Sequence, residues 1–464
     1  MKFSVIPFAA IFGYFDLDEL IMLRRTHPFF SLKLCSIASP NIVLFSRSTY
    51  LRNSHKMLAQ FPKSRFIIKN YSGFPSINLG VCANVTSLDL AYCVSLPGFV
   101  ANRFPTGLTS LSLGSNCPVN PEMLTDLTKL VELKLNHQIT GSILNKLPAL
   151  RKLDLYTNTS ITDFDIESLK LDCLSAGYNT TKCVIKLKKL NLTYLNLGSW
   201  AIDELKDELI QCTTVTDLEF VMTLKNINVA CCLTNEMTSI KKLTINDCTY
   251  LDRYWFDRAK RLPDLNDFAL FRLETLVIIG SGFGVMYFPR FPLKNLCCLK
   301  IDNAHYYELN FAHLKYLTEL HIGNCCMPAN TKLGELKNLK KLILERVETN
   351  GKPIDISALG SLTSLEFLGG TFHSFLNTRS FLLSGSLERL VIDSANSSVT
   401  DRMLRGFPKL KYLSLGREAC KKVKGSCFGY LDRLFSLEIN KDHILDMKCL
   451  SLLKKRDVLV RYSS

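Results

Sequence analysis

Residue types that could perform catalysis or hold a metal occur throughout this 464-residue chain, but they do not form a known chemical signature. There is no Gly-x-x-x-x-Gly-Lys-Ser/Thr loop for phosphate, no Gly-x-Ser-x-Gly nucleophile turn and no His-Glu-x-x-His zinc motif. The glycine-rich segment 280–284 lacks the spacing of a phosphate-binding loop. The eight histidines are dispersed, and we expect the most central one, His321, to face solvent from the middle of a strand. The sequence therefore predicts no enzyme activity, catalytic residue, metal site or cofactor.

The 17 cysteines show neither a metal-binding pattern nor a clear disulfide framework. No two of them are spaced as Cys-x-x-Cys, a spacing that structural zinc sites commonly use. Adjacent pairs occur at 231–232, 297–298 and 325–326, and neighbours on a strand point to opposite faces, so they seldom bridge each other. Free thiols are typical of reducing compartments, and we expect the protein in the cytoplasm, the nucleus or both.

The formal net charge of +15 favours anionic partners such as nucleic acid, acidic protein faces or phosphorylated segments. The alternative is a soluble protein with solvated lysines. The densest basic runs, at 186–189, 421–424 and 454–456, are short, and none resembles a nucleic-acid-binding arm.

The elements that position any functional residue are set by a repeated pattern, L-x-x-L-x-L, with an aliphatic residue or Phe at most L positions. Successive copies begin 20 to 25 residues apart, except for one interval of 33. In x-L-x-L, the two L residues of a strand face the core and the x residues face outward. The sixteen copies begin at Val85, Leu108, Leu130, Leu150, Leu171, Leu192, Val215, Ile240, Leu273, Leu296, Leu317, Leu339, Leu362, Leu387, Leu410 and Leu434.

This repeat is similar to that of the leucine-rich repeat family, in which single repeats are unstable and stacked neighbours bury a continuous core. The resemblance implies an α/β solenoid with a curved parallel sheet on its concave face and short helices or turns on its convex face. In that family an Asn or Cys after the strand binds the backbone of the turn. We therefore expect no glycan on the Asn158 and Asn179 sequons. The residues expected at that inward position are Cys93, Asn116, Asn158, Asn179, Cys248 and Cys325.

The N-terminal segment differs from the repeats. The residues from Ile11 to Leu20 and from Leu23 to Phe30 resemble the F-box, although its Leu-Pro is absent and Thr26-His27 replaces the usual Val-Cys. The resemblance implies binding to a Skp-type adaptor in a cullin-based ubiquitin ligase through Ile11, Phe12, Tyr14, Phe15, Leu20, Leu23 and Phe30. The alternative is a helical cap that shields the first repeat. We assign 1–32 to the F-box-like segment, 33–84 to a linker with degenerate capping repeats, and 85–464 to the leucine-rich repeats.

The concave face is the predicted binding surface for a protein substrate, which the net charge suggests is acidic or phosphorylated, with no small-molecule substrate and no membrane. Its aliphatic residues are typical of a partner patch, but a C-terminal segment could also cover them. Two other functions stay open: a repeat scaffold without a ligase role, and a secreted receptor whose apolar N-terminus is a signal peptide. The candidate residues on this face are Lys134, Asp154, Asn196, Glu219, Val277, Ile279, Lys300, His321, Ile343 and Val391.

Overall fold

A computed structural model shows the fold of the chain, which divides into two compact units, Met1–Val215 and Thr216–Ser464. The F-box-like segment 1–32 lies outside the described residues. Those residues are 42–45, 66–69, 85–91, 104–114, 119–135, 139–155, 158, 160–161, 166–176, 187–198, 202–221, 237–246, 272–280, 283–287, 295–303, 305–311, 314–327, 331, 333–349, 359–369, 385–393, 399–443 and 445–463.

The first unit contains a parallel sheet in which each strand pairs with the next one along the chain. Two of its strands precede Val85 and continue the ladder upstream of the clear repeats. The strands are β1 (Ile42–Phe45), β2 (Phe66–Lys69), β3 (Val85–Leu90), β4 (Ser110–Leu113), β5 (Glu132–Lys134), β6 (Lys152–Asp154), β7 (Cys173–Ser175) and β8 (Tyr194–Asn196).

The second unit contains a main parallel sheet, whose strands also pair in chain order. They are β9 (Asp217–Val221), β10 (Lys242–Asn246), β11 (Thr275–Ile279), β13 (Cys298–Asp302), β15 (Glu319–Gly323), β17 (Lys341–Glu345), β19 (Ser364–Leu368), β20 (Arg389–Asp393), β21 (Tyr412–Leu415), β22 (Ser436–Asn440) and β23 (Leu459–Ser463). A smaller parallel sheet consists of β12 (Phe283–Tyr287), β14 (His305–Asn310), β16 (Cys326–Met327) and β18 (Glu348–Thr349).

Short helices connect many of the strands. The α-helices are α1 (Ile202–Ile210), α2 (Asp401–Leu404), α3 (Arg417–Cys420) and α4 (Met447–Lys455), and 3-10 helices span Pro121–Leu124, Gly141–Lys146, Leu187–Lys189, Leu333–Glu335 and Phe428–Tyr430. Among the residues that the structure describes, no helix has the length and apolar character needed to cross a lipid bilayer.

Each of the sixteen predicted x-L-x-L segments forms a strand, so the leucine-rich repeat fold is confirmed. The alternation predicted for these strands is visible in their burial: in β17, Leu342 and Leu344 are buried, while the residues between and beside them are partly exposed. Because apolar burial stabilises by about 25 cal/mol per Å², stacking the buried leucines of neighbouring repeats supplies the main driving force for folding.

The inward Asn and Cys positions behave as expected where they are described. Asn158 is fully buried, its Nδ2 donates to the carbonyl of Ile139 (2.9 Å), and its Oδ1 accepts from the backbone N–H groups of Ser160 (2.8 Å) and Ile161 (3.1 Å). Cys325 is also buried, and its thiol donates to the carbonyl of Gly323 (2.7 Å). Outside the described residues lie Cys93, Asn116, Asn179 and Cys248.

A left-handed backbone turn follows three successive strands of the second unit. Asn303, Asn324 and Arg346 have φ of 54°, 45° and 46°, and the N–H of each donates to a carbonyl of the following repeat. A strand of the smaller sheet begins two residues after each of them. The turn therefore redirects the chain from the main sheet into the smaller sheet.

Candidate functional site

The outward side chains in the middle of the strands form one continuous row in the second unit. The strand register places each of them beside its equivalents on the neighbouring strands. In order, the row contains Glu219, Thr244, Val277, Lys300, His321, Ile343, Glu366, Val391, Ser414, Glu438 and Arg461. We call the surface formed by this row and the outward residues on either side of it the strand face.

The centre of the strand face combines aliphatic and basic side chains. Val277 is next to Lys300, and His321 is next to Ile343, on four consecutive strands of the main sheet. Ile279 lies two residues beyond Val277 on the same face, and all three aliphatic side chains are half-buried. Partly exposed Val and Ile offer contact area to an apolar partner, and Lys300 offers a positive charge beside it.

His321 lies on the outward face in the middle of its strand as expected, but it is less exposed than the sequence suggests. Its side chain is only 17% exposed, and Nε2 lies 3.4 Å from Oε2 of Glu345, which is long for a hydrogen bond. Burial lowers the pKa of His321 and Lys300 lowers it further, while Glu345 and Asp302 raise it. The approach of Glu345 from the next strand is a contact that sequence spacing cannot show. At neutral pH the ring is therefore mostly uncharged.

A row of charged and aromatic side chains lies next to the central row. Lys341 forms a 2.7 Å ion pair with Glu319 on the neighbouring strand. Further along, Nε of Arg389 donates to Glu366 (2.9 Å), and its guanidinium lies 4.0 Å from the centroid of the Tyr412 ring. These contacts hold long side chains in fixed positions across adjacent strands.

The same network ends at Glu438. The hydroxyl of Tyr412 donates to Oε2 of Glu438 at 2.6 Å. Burial raises the pKa of Tyr412, and both the hydrogen bond to Glu438 and the charge of that carboxylate raise it further. Tyr412 therefore stays protonated and acts as a hydrogen-bond donor throughout the physiological range.

Val391 was expected to be an exposed aliphatic residue of the binding face, and the structure corrects this. The side chain points to the strand face but is only 8% exposed. Its neighbours in the central row are Glu366 and Ser414, and Arg389 lies two residues away on the same strand. Because Arg389 reaches across to Glu366 and Tyr412, its long side chain shields the smaller valine from solvent.

Acidic side chains outnumber basic ones on the strand face of the second unit, although the whole chain is strongly basic. Two of the acidic groups have defined amide partners: Asp302 accepts from Nδ2 of Asn324 (2.8 Å), and Glu219 accepts from Nδ2 of Asn246 (2.5 Å). The acidic residues are Asp217, Glu219, Asp302, Glu319, Glu345, Glu366, Asp393 and Glu438, and the basic ones are Lys242, Lys300, Lys341, Arg389 and Arg461.

The candidate residues of the first unit lie on the equivalent face of its sheet. Lys134 and Asp154 are register partners, and their charged groups are 3.3 Å apart. Asn196 occupies the same row on β8, but its Oδ1 accepts from the backbone N–H of Gly198 at 2.8 Å and so helps to form the turn after the strand. From β3 to β8, where the side chains of this row are described, it is polar and lacks the aliphatic centre seen in the second unit.

The adaptor-binding candidates all fall outside the described residues: Ile11, Phe12, Tyr14, Phe15, Leu20, Leu23 and Phe30. In the part of the chain that is described, no three His, Cys, Asp or Glu side chains come together as metal ligands. The described cysteines are unbridged, and burial together with Glu208 raises the pKa of Cys212 to about 11. Such a protonated thiol is a poor nucleophile.

Sequence reasoning missed the residues beside the central row. Glu319, Lys341, Arg389 and Tyr412 each lie two residues before the central position of their strand, so they share its face. The signal was available, because opposite charges recur at that position in consecutive repeats. Gly323 was also overlooked, and a Cβ there would lie 2.8 Å from Oδ1 of Asp302.

No known protein-family profile matches the chain, and no curated protein matches it. Solved structures that are similar in fold include an internalin of Listeria monocytogenes, with 20% identity and a TM-score of 0.41 over 66% of this chain and 85% of the internalin. A leucine-rich repeat protein of Leptospira interrogans has 19% identity and a TM-score of 0.41, over 89% of this chain and 99% of that protein. The TLR13 chain of a TLR13–ssRNA13 complex has 15% identity and a TM-score of 0.45, over 82% of this chain and 68% of that chain.

Proposed function

We propose that this chain is a non-catalytic protein-binding module whose main contact surface is the strand face of the second unit. The observation that carries the proposal is the row Val277, Lys300, His321 and Ile343, which places half-buried aliphatic residues beside fixed polar groups. An interface needs both features, since apolar contact supplies affinity and paired charges set orientation and specificity.

The chemistry of this surface indicates the kind of partner it fits. Because acidic side chains outnumber basic ones on the strand face, a partner with apolar side chains flanked by Lys or Arg is favoured. The acidic or phosphorylated substrate expected from the net charge would be repelled by Asp302 and Glu345, and Lys300 would offset only part of that repulsion. This partner preference is therefore more specific than the one drawn from composition.

Partner capture with matched variants tests this binding surface. Val277→Ser with Ile343→Ser removes the aliphatic centre, and Val131→Ser with Tyr316→Ser makes the same kind of change at exposed positions outside the row. We expect partners captured by the unmodified chain to be lost from the first variant and retained by the second. Equal capture by both variants, each with an unchanged circular dichroism spectrum, would contradict the proposal.

We also propose, as a finer function, that the chain is the substrate-recognition subunit of a Skp–cullin–F-box ubiquitin ligase acting in the cytoplasm or the nucleus. The support is the F-box-like pattern from Ile11 to Phe30 followed by repeats. A plain repeat scaffold would share the binding surface without the adaptor. A secreted receptor would require cleavage of the N-terminal apolar segment, which the mass of the mature N-terminus tests.

Co-purification with a Skp-type adaptor tests the ligase role. Phe12→Asp with Leu20→Asp places charges in the F-box-like segment, and Phe435→Asp with Leu459→Asp places the same charges at exposed repeat positions. We expect adaptor binding to be lost only in the first variant. If the unmodified chain binds no adaptor, the segment acts as a cap of the stack and the scaffold function is left.

A further inference from the structure

Basic residues are concentrated in the last repeats, on the side of the core away from the strand face. In residues 399–463, Lys and Arg well outnumber Asp and Glu. Strands β21, β22 and β23 place only Glu438 and Arg461 of these charged residues on the strand face. The other charged residues belong to the helices and turns between the strands, so folding brings together basic runs that are separated in sequence.

Three successive repeats contact one another along a line on this side. The carboxylate of Asp401, at the start of α2, accepts from the backbone N–H groups of Lys424 (2.7 Å), Gly425 (2.9 Å) and Cys427 (2.9 Å). Gly425 in turn lies against Cys449 of α4, because a Cβ at 425 would be 2.7 Å from its Sγ. Residues beside Asp401, Gly425 and Cys449 therefore lie at neighbouring positions on three repeats.

Basic residues occupy the positions beside this line. Arg402 follows Asp401, Lys424 precedes Gly425, and Lys448 precedes Cys449, and all three side chains are exposed. Exposed cations thus lie on three successive repeats, one each on α2, in the turn at 424–427 and on α4.

An exposed aromatic residue lies beside further cations. The guanidinium of Arg405 is 4.6 Å from the centroid of the Tyr430 ring, which is 56% exposed. Arg456 donates to the carbonyl groups of 428–429 at 3.0 and 3.2 Å, so the end of α4 that carries Lys454 is held close to Tyr430. We call this surface the C-terminal basic surface, formed by Arg402, Arg405, Lys424, Tyr430, Lys448, Lys454 and Lys455.

Several acidic residues of this region already have donors, including Asp446, whose Oδ1 accepts from the backbone N–H of Lys448 at 3.3 Å. The carboxylate of Asp401 is held by its three N–H donors, Glu418 pairs with Lys421 at 2.6 Å, and Asp432 pairs with Arg456 at 3.0 Å. Among the residues that the structure describes, Arg402, Lys424, Lys448 and Lys454 have no acidic partner within 4.0 Å. These exposed cations are therefore available to an external anion.

We propose that the C-terminal basic surface binds the phosphate backbone of single-stranded nucleic acid. Cations spaced over successive repeats match a linear polyanion, and the exposed Tyr430 ring offers the face opposite Arg405 on which a base can stack. A lipid surface fits less well, because the cations come from several elements and not from one face of an amphipathic helix. The surface is separate from the strand face, so it adds a second partner to the proposed protein-binding function.

The test is binding of a fluorescein-labelled single-stranded oligonucleotide of about 15 nucleotides, measured by anisotropy on the full chain at several salt concentrations. The variant Arg402→Gln, Lys424→Gln, Lys454→Gln removes one cation from each repeat. With about 0.7 counterions released per phosphate, the slope of log K against log salt should fall by about 2, and affinity at 0.15 M salt by about 50-fold. Tyr430→Ala should weaken binding by at least about fivefold.

The control Lys315→Gln, Lys337→Gln, Lys340→Gln removes the same charge from exposed lysines of earlier repeats and should leave the slope unchanged. Val277→Ser with Ile343→Ser should also leave oligonucleotide binding intact, which separates this proposal from the strand-face partner. Equal loss in the basic-surface variant and the lysine control would overturn the proposal. So would phosphatidylserine vesicles or polyglutamate that bind as tightly as the oligonucleotide at equal charge, since the surface would then recognise lipid or acidic protein.

Discussion

Replacement of Asn158 by Ala tests how side-chain hydrogen bonds join successive repeats in the first unit. The amide is fully buried and makes three hydrogen bonds to backbone groups, at 2.8, 2.9 and 3.1 Å. Each such bond contributes about 1 kcal/mol net, and buried backbone groups left without partners add to the loss. We therefore expect unfolding of the first unit to become easier by about 3 kcal/mol, well above the roughly 1 kcal/mol of an average substitution.

The measurement combines urea unfolding with hydrogen exchange read by mass spectrometry. Because a repeat contacts mainly its neighbours, exchange should accelerate most in β5, β6 and β7 and little in the second unit. Asn145→Ala is the matched control, since that exposed amide accepts one bond, from Ser168 (2.6 Å), and its loss should cost less than about 0.5 kcal/mol. Asn158→Cys should recover part of the stability, because a thiol donates to a carbonyl at the equivalent position in Cys325.

Two results would refute this reasoning. Equal urea midpoints for the Asn158→Ala and Asn145→Ala variants would mean that the buried amide does not join the repeats. Uniform acceleration of exchange in both units would mean that the stack unfolds as one body, and the nearest-neighbour description of stability would fail.

Gly114→Ala should destabilise the first unit by about 2 kcal/mol or more in urea unfolding, because the Cβ of the alanine would overlap a backbone carbonyl of the preceding repeat. The control Gly360→Ala places its Cβ in open space and should be nearly neutral. Although burial alone would raise the pKa of Asp401, three backbone N–H donors lower it below the ordinary value. The stability that the ionised Asp401 contributes should therefore be complete above about pH 5 and be lost as pH falls below about 4, through the lowered pKa of the folded state. Asp401→Asn should flatten the dependence of the urea midpoint on pH below about 5, and an unchanged profile would contradict the role of the carboxylate. Phe407→Ala should cost about 3–5 kcal/mol because the ring is buried, whereas Phe435→Ala, at a side chain that is 69% exposed, should change thermal unfolding little.

The strands of the main sheet were predictable because their signal is local and repeated. In β17, two buried leucines separated by one outward residue specify a half-buried strand, and the same spacing recurs in each of the sixteen copies. The smaller sheet gives no such signal. Its strand β16 contains only Cys326 and Met327, too few residues for any alternation, and it follows a turn in which Asn324 adopts a left-handed backbone.

The candidate site was predictable in its layout but not in its exposure. Period-two spacing is sufficient to place His321 and Val391 on the strand face. Their burial depends on neighbouring long side chains such as Arg389 and Glu345. Some of these neighbours are 20 or more residues away in the sequence, and the reach of the others depends on their rotamers. A repeat pattern therefore identifies which residues share a face, and the packing between repeats determines which of them a partner can touch.

Charge is distributed unevenly over the second unit, so binding to two different partners can be altered independently. A partner meets one face of a protein, so the net charge of +15 predicts its chemistry only if charge is spread evenly. Here Asp302 and Glu345 contribute to an acidic excess on the strand face, while Arg402 and Lys424 belong to a basic surface on the other side of the core. The two surfaces are formed by different elements, so the effects of substitutions on them should be additive. A basic protein and a nucleic acid could then bind the same molecule together, each weakened only by changes on its own surface.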